Sequence, residues 1–154
     1  MNFIFKDFIP KHAASIDGVI LSGNWSDLKS GKPEQLVKDL KETLKYLEEK
    51  HIKVVILGQN EIYNIPYPSI AAREYEYGKK ISANYVVGKA YELNATLKRK
   101  FDPLYIDIYN YKDIPPLSNK YDPYMFDEHH LTKYGADIVV EKLYNNKSFI
   151  NFLK

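Results

Sequence analysis

KVVILGQN, Lys53 to Asn60, decides the fold. Val54, Val55, Ile56 and Leu57 follow one another with no polar residue between them. A strand with one wet face alternates apolar and polar residues. An unbroken β-branched run of this length fits a parallel strand covered on both faces. Gly58 and Asn60 then supply turn chemistry where the chain leaves the strand.

The same signature occurs twice more. GVILS, Gly18 to Ser22, is continuous and β-branched-rich, and LYIDIY, Leu104 to Tyr109, forms a third apolar run. Helical patterns lie between and after them. In KPEQLVKDLKETLKYLEEKH, Leu36, Val37, Leu40, Leu44 and Leu47 recur at three- and four-residue spacing, with Pro33 suited to a first turn. A second pattern runs from about Tyr85 to Lys100, with Val86, Val87, Ala90, Leu93 and Leu97 on one face. A third begins near Thr132, a suitable N-cap, with Ala136, Val139, Val140 and Leu143 inward. The order β-α-β-loop-α-β-loop-α predicts an open parallel α/β sheet with helices on both faces. Residues 1–16 read as an arm or a short helix ahead of one domain over 1–154.

Composition excludes several function classes. The 154 residues suit one domain with its own core, and 45% are hydrophobic and 27% charged. The 22 basic and 20 acidic residues are interspersed, which gives no reason to expect a nucleic-acid partner. No apolar run is long enough to cross a bilayer. Lys6, Asp7 and Pro10 interrupt the apolar start, so no signal peptide is read. With no cysteine, the chain has no disulfide, thiolate metal site or cysteine nucleophile. The 14 tyrosines are the unusual feature, fit to cover core edges or to line a groove.

In open parallel sheets the ligand site lies beyond the C-terminal strand ends. That rule selects SGNWSDL after the first strand, GQNEIYNIPYPS after the second and YNYKDIPPLSNKYDPYMFDEHH after the third. Gly23 and Asn24 can donate to a developing oxyanion, or can serve only as a turn beneath a Trp25 plug. Asn60 offers a similar donor at the next strand end. In FDEHHLT, Asp127 and His130 stand three residues apart, close enough to meet in a turn. A general-base His needs a carboxylate to hold its tautomer and stabilise its charged form. Capping by Asp127 and a metal site built with His129 are the competing readings, and His129 rivals His130 as the base.

Asp127-x-x-His130-Leu-Thr-x-x-Gly135-Ala136 resembles the last block of SGNH hydrolases. In particular it resembles the SGNH domains fused behind membrane-bound acyltransferases that O-acetylate bacterial surface polysaccharides and peptidoglycan. VILSGNW resembles their second block and VVILGQN their third. YIDIYNY resembles the strand before the final loop, so the likeness spans about residues 17 to 145. It implies a flavodoxin-like three-layer fold lacking its first strand-helix unit. It implies a Ser-His-Asp triad with His130 as base and Asp127 as orienting acid, and oxyanion donors near Gly23 or Asn24 and near Asn60. It also implies a glycan or acyl-ester substrate, a membrane acyltransferase partner and a periplasmic or extracytoplasmic location. No metal and no cofactor enter this reading.

One departure is decisive. The family's nucleophile sits in a Gly-Asp-Ser block ahead of the second block, and no Gly-Asp-Ser occurs here. The expectation is either the C-terminal part of a longer protein or a chain that has lost the nucleophile. Ser26, at a strand-to-helix turn, is the internal substitute candidate. A non-catalytic carbohydrate-binding module is the alternative, with Tyr63, Tyr67, Tyr75, Tyr77, Tyr121 and Tyr124 stacking on sugar rings. A receiver-type domain would need a phosphate cradle or acidic cluster that Gly23–Ser26 does not supply.

Overall fold

The computed structural model describes residues 3–27, 33–109 and 115–154. Leu28 of the first strand-end loop and residues 110–114 of the third fall outside that set. Three strands are described, β1 Gly18–Leu21, β2 Lys53–Leu57 and β3 Tyr105–Ile106. They form one parallel sheet in the order β1-β2-β3. Gly18 pairs with Lys53 at one end of the first ladder, and Ile56 with Tyr105 in the second. The helices are α1 Ile9–His12, α2 Pro33–Glu49, α3 Tyr67–Tyr77, α4 Gly88–Phe101, α5 Lys133–Leu143 and α6 Lys147–Leu153.

Successive strand residues face opposite sides, and β2 uses this to build two cores. Ile56 packs with Leu36 and Leu40 of α2 and with Leu93, Leu97 and Phe101 of α4. Val55 packs with Ile70 and Ala71 of α3, Val139 and Leu143 of α5, and Phe149 of α6. The result is the expected three-layer α/β/α, flavodoxin-like arrangement. A third cluster ties Ile9 to Leu47 and Ile52, so the helical turns of residues 4–15 fold back onto the end of α2 and the start of β2.

Several details depart from the sequence expectation. β1 is an edge strand, and Ile20 is 48% exposed, so it is not covered on both faces as β2 is. β3 contributes only two residues to the ladder, although Ile108 and Tyr109 beyond it remain buried. α4 starts at Gly88; Ser82–Tyr85 form a separate 3-10 turn, and Val86 bridges to Tyr63. The buried stripe of α5 is Gly135, Val139 and Leu143, four residues apart, which leaves Val140 on an exposed flank. α3 and α6 lie in segments the sequence pattern did not identify as helices. Their signals are end signals: Pro68 in the first turn and left-handed Gly78 after the last for α3, and the Asn146 cap of α6.

Candidate active site at the strand ends

The turn before α5 organises itself. Asp127 Oδ1 accepts from the backbone N–H of His129 (2.9 Å) and of His130 (2.7 Å). Its Oδ2 lies 2.7 Å from His130 Nδ1. The turn closes with Phe126 N–H donating to the His130 carbonyl at 3.0 Å and with the Met125–Leu131 bridge. The carboxylate selects the tautomer with the proton on Nδ1, leaving Nε2 as the acceptor nitrogen. Slight desolvation raises the Asp127 pKa. The N–H of His129, the His130 ring and the His130 N–H outweigh it and hold the carboxyl well below the usual carboxylate range.

The rest of the motif is structural. Thr132 Oγ1 accepts from Gly135 N–H, capping α5, and donates to the Pro123 carbonyl at 2.6 Å. Gly135 is required by close approach: a Cβ there would lie 2.1 Å from the Tyr124 carbonyl oxygen. The helix start thus sits directly on the segment leading into the Asp127 turn.

His130 is the better partner of Asp127. The nearest approach of the His129 ring nitrogen to the carboxylate is 4.0 Å, against 2.7 Å for His130. The His130 side chain is 59% exposed and stacks on Phe126, with ring centroids 5.4 Å apart. Asp127, His129 and His130 could together hold a metal, since one ligand atom from each lies within 4.8 Å of the others. Asp127 Oδ1 already accepts two backbone N–H groups and Oδ2 meets His130 Nδ1, so a metal bound there would compete with the bonds that hold the turn.

The other candidates meet at the ends of β1 and β2. Trp25 Nε1 donates to the Leu57 carbonyl at 2.9 Å, closing β1's exit over β2. Ser26 Oγ donates to Asn24 Oδ1 at 2.8 Å, and Ser26 N–H donates to Gln59 Oε1 at 3.2 Å. Gly23 is exposed, with open space around its α-carbon. Asn60 Nδ2 donates to the His129 carbonyl at 2.6 Å, so this amide is joined to the histidine turn. No hydrogen bond links Ser26 to His130 among the described residues.

Sequence reasoning missed Gln59. It is fully buried, and its Nε2 donates to the Asn60 carbonyl at 3.0 Å. Its N–H donates to Tyr105 Oη, which donates in turn to buried Asn94. Gln59 therefore links the Ser26 turn, the Asn60 clamp and β3. No local pattern signals this, because a Gln between Gly and Asn reads as turn composition. The six stacking tyrosines also divide. Tyr63, Tyr67 and Tyr124 are buried, whereas Tyr75, Tyr77 and Tyr121 are exposed.

Among the described residues no helix is long and apolar enough to cross a membrane. Residues 1–145 match the family model described as SGNH domain (fused to AT3 domains). The chain is also similar to a solved structure, the periplasmic domain of a lipopolysaccharide acetyltransferase from Salmonella ser. Paratyphi A. The TM-score is 0.71 at 18% identity, covering 89% of this chain. The chain corresponds to 59% of that domain's length. No curated protein sequence matches it.

Proposed function

This chain belongs to the family of SGNH domains fused to AT3 domains, and we propose that it serves acyl transfer to or from a glycan, with His130 as the base. The observation that carries the reading is the 2.7 Å contact between His130 Nδ1 and Asp127 beside the strand ends. In the reaction a serine Oγ attacks the acetyl carbonyl carbon while its proton passes to His130 Nε2. The leaving alcohol takes that proton, and the acetyl group rests on the serine. A sugar hydroxyl or water then gives its proton to Nε2 and accepts the acetyl, and the departing serine oxygen takes that proton from Nε2. Asp127 stays ionised throughout and stabilises the charged ring. Backbone or side-chain donors at Gly23, Asn24 and Asn60 are the candidates for the oxyanion. A membrane acyltransferase domain of the AT3 kind is the matching acetyl source. A glycan-binding module without turnover is the second reading, favoured by the missing Gly-Asp-Ser block.

The test is hydrolysis of p-nitrophenyl acetate and labelling by a fluorophosphonate, compared with His130→Ala and Ser26→Ala. Loss of the base should cost about 10²–10⁴-fold in turnover. Turnover lost in both variants assigns the nucleophile to Ser26. Turnover lost only in His130→Ala keeps the base and points to another hydroxyl. Turnover no higher than in His130→Ala, with no label, removes catalysis by this chain alone and leaves the binding reading.

A further inference from the structure

The Asp127 turn is held by the segment that follows β2. Three successive carbonyls of the turn accept from it: Asp127 from Tyr67 N–H at 3.1 Å, Glu128 from Tyr63 N–H at 2.9 Å and His129 from Asn60 Nδ2 at 2.6 Å. The segment is itself anchored, since the Ile62 carbonyl accepts from Val87 N–H at 2.8 Å and Asn64 N–H donates to the Tyr85 carbonyl at 2.9 Å. Two of the three tethers come from backbone N–H groups, which every residue but proline supplies. The third exists only because residue 60 carries an amide.

That third tether has a particular target. The His129 carbonyl belongs to the peptide unit that joins His129 to His130, and a peptide unit is planar. Its C=O accepts from Asn60, and its N–H, that of His130, donates to Asp127 Oδ1 at 2.7 Å. One rigid plane is therefore gripped from both sides. A carbonyl that accepts a bond makes the N–H of its own peptide a better donor, because bonds in a chain polarise one another. The same carboxylate meets His130 Nδ1 through Oδ2 at 2.7 Å. A continuous path thus runs from the Asn60 amide through the peptide plane and the carboxylate to the imidazole. The amide is oriented in its turn, since Gln59 Nε2 donates to the Asn60 carbonyl at 3.0 Å and to Asn60 Oδ1 at 3.3 Å.

We propose that Asn60 is a positioning residue that acts on His130 through the 129–130 peptide plane and the Asp127 carboxylate, and that this, not donation to an oxyanion, is its part in the reaction. The oxyanion candidates then reduce to Gly23 and Asn24. The proposal rests on the reading of His130 as the base, and its test separates the two.

The readout is the tautomer of His130 in the free protein. Long-range proton–nitrogen NMR on the 154-residue chain, with the imidazole neutral, gives the ratio of the Nδ1–H to the Nε2–H form. The Nδ1–H form should predominate in the wild type, held by Asp127. Asn60→Ala should lower the ratio about five-fold, the factor for one lost hydrogen bond. Asn60→Asp has the same shape but turns only acceptor oxygens to the His129 carbonyl, and should lower it at least as far. An unchanged ratio in Asn60→Ala overturns the proposal, and so does a wild-type ratio that already favours Nε2–H. If kcat for p-nitrophenyl acetate falls while the ratio stays, Asn60 returns to the oxyanion. Should Asn60→Ala lack a melting transition, Asn60→Asp decides. Loss of folding in both overturns the proposal, because Asn60 then holds the core and not one turn. Where the wild type turns over ester, the lowered ratio should come with a lower kcat and an unchanged KM. A lowered ratio in a chain without turnover removes the catalytic reading and keeps the positioning role.

Discussion

The Asp127 turn and the Gln59 junction are both polar, both lie at the strand ends, and both bear on the same histidines. They are built from opposite kinds of contact. Asp127 reaches partners two and three residues away, and its bonds form as soon as the turn does. Gln59 accepts from Ser26, 33 residues away, and Asn60 reaches His129 across 69. One unit is a local motif that an exposed surface can carry. The other is a fully buried glutamine that gains its distant partners, Ser26 and Tyr105, only once β1, β2 and β3 lie side by side. The turn therefore sets the chemistry of His130, and the junction sets where that turn sits relative to the β1 exit.

The comparison can be broken at the place where the two units meet the fold. Gly135→Ala drives a methyl into the Tyr124 carbonyl beneath the turn. It should cost about 3 kcal/mol, the upper part of the overpacking range, measured by urea unfolding. An unchanged midpoint would mean that the turn is not pressed against α5.

Gln59→Ala should be next, at about 2 kcal/mol, since it removes two part-buried hydrogen bonds, to the Ser26 N–H and to the Asn60 carbonyl, at about 1 kcal/mol each. Chemical shifts of the Ser26 and His129 backbone amides should move together in this variant. If Ser26 moves and His129 does not, the junction does not extend to the histidine turn.

The smallest effect sharpens the distinction. The Asp127 carboxyl is held below its ordinary value in the folded protein. Its contribution is complete above the ordinary aspartate range near 4 and is lost as pH falls toward the lowered folded value. Asp127→Asn should flatten the acid limb of the stability curve by about 1 kcal/mol, as expected for a partly exposed, hydrogen-bonded carboxylate. The stability difference between wild type and Asp127→Asn should shrink below pH 4. A difference constant from pH 7 to pH 2 would show that the charge of Asp127 does not hold the turn.

Half of the candidate site was readable from spacing. Asp and His three residues apart, followed by Thr, describe a turn and a cap, each set within a few residues; the close approach of Gly135 to the Tyr124 carbonyl was not read from the sequence. Asn60 was readable as a polar group at a strand end, but its bond to the His129 carbonyl was not, since nothing near Asn60 in sequence points to residue 129. The same limit explains the tyrosines. Tyr67 and Tyr75 both belong to α3, yet one is 5% and the other 67% exposed, a difference of helix face.

By itself the sequence determined the alternation of strand and helix, the parallel sheet and the Asp127–His130 pairing. Those follow from periodicity and short-range hydrogen bonding, which act along the chain. Only the tertiary structure decided that β1 is an edge, that Gln59 is the hub of the strand ends, and that Asn60 grips the His129 carbonyl. Those depend on which residues lie side by side once the layers pack, and no local pattern encodes that.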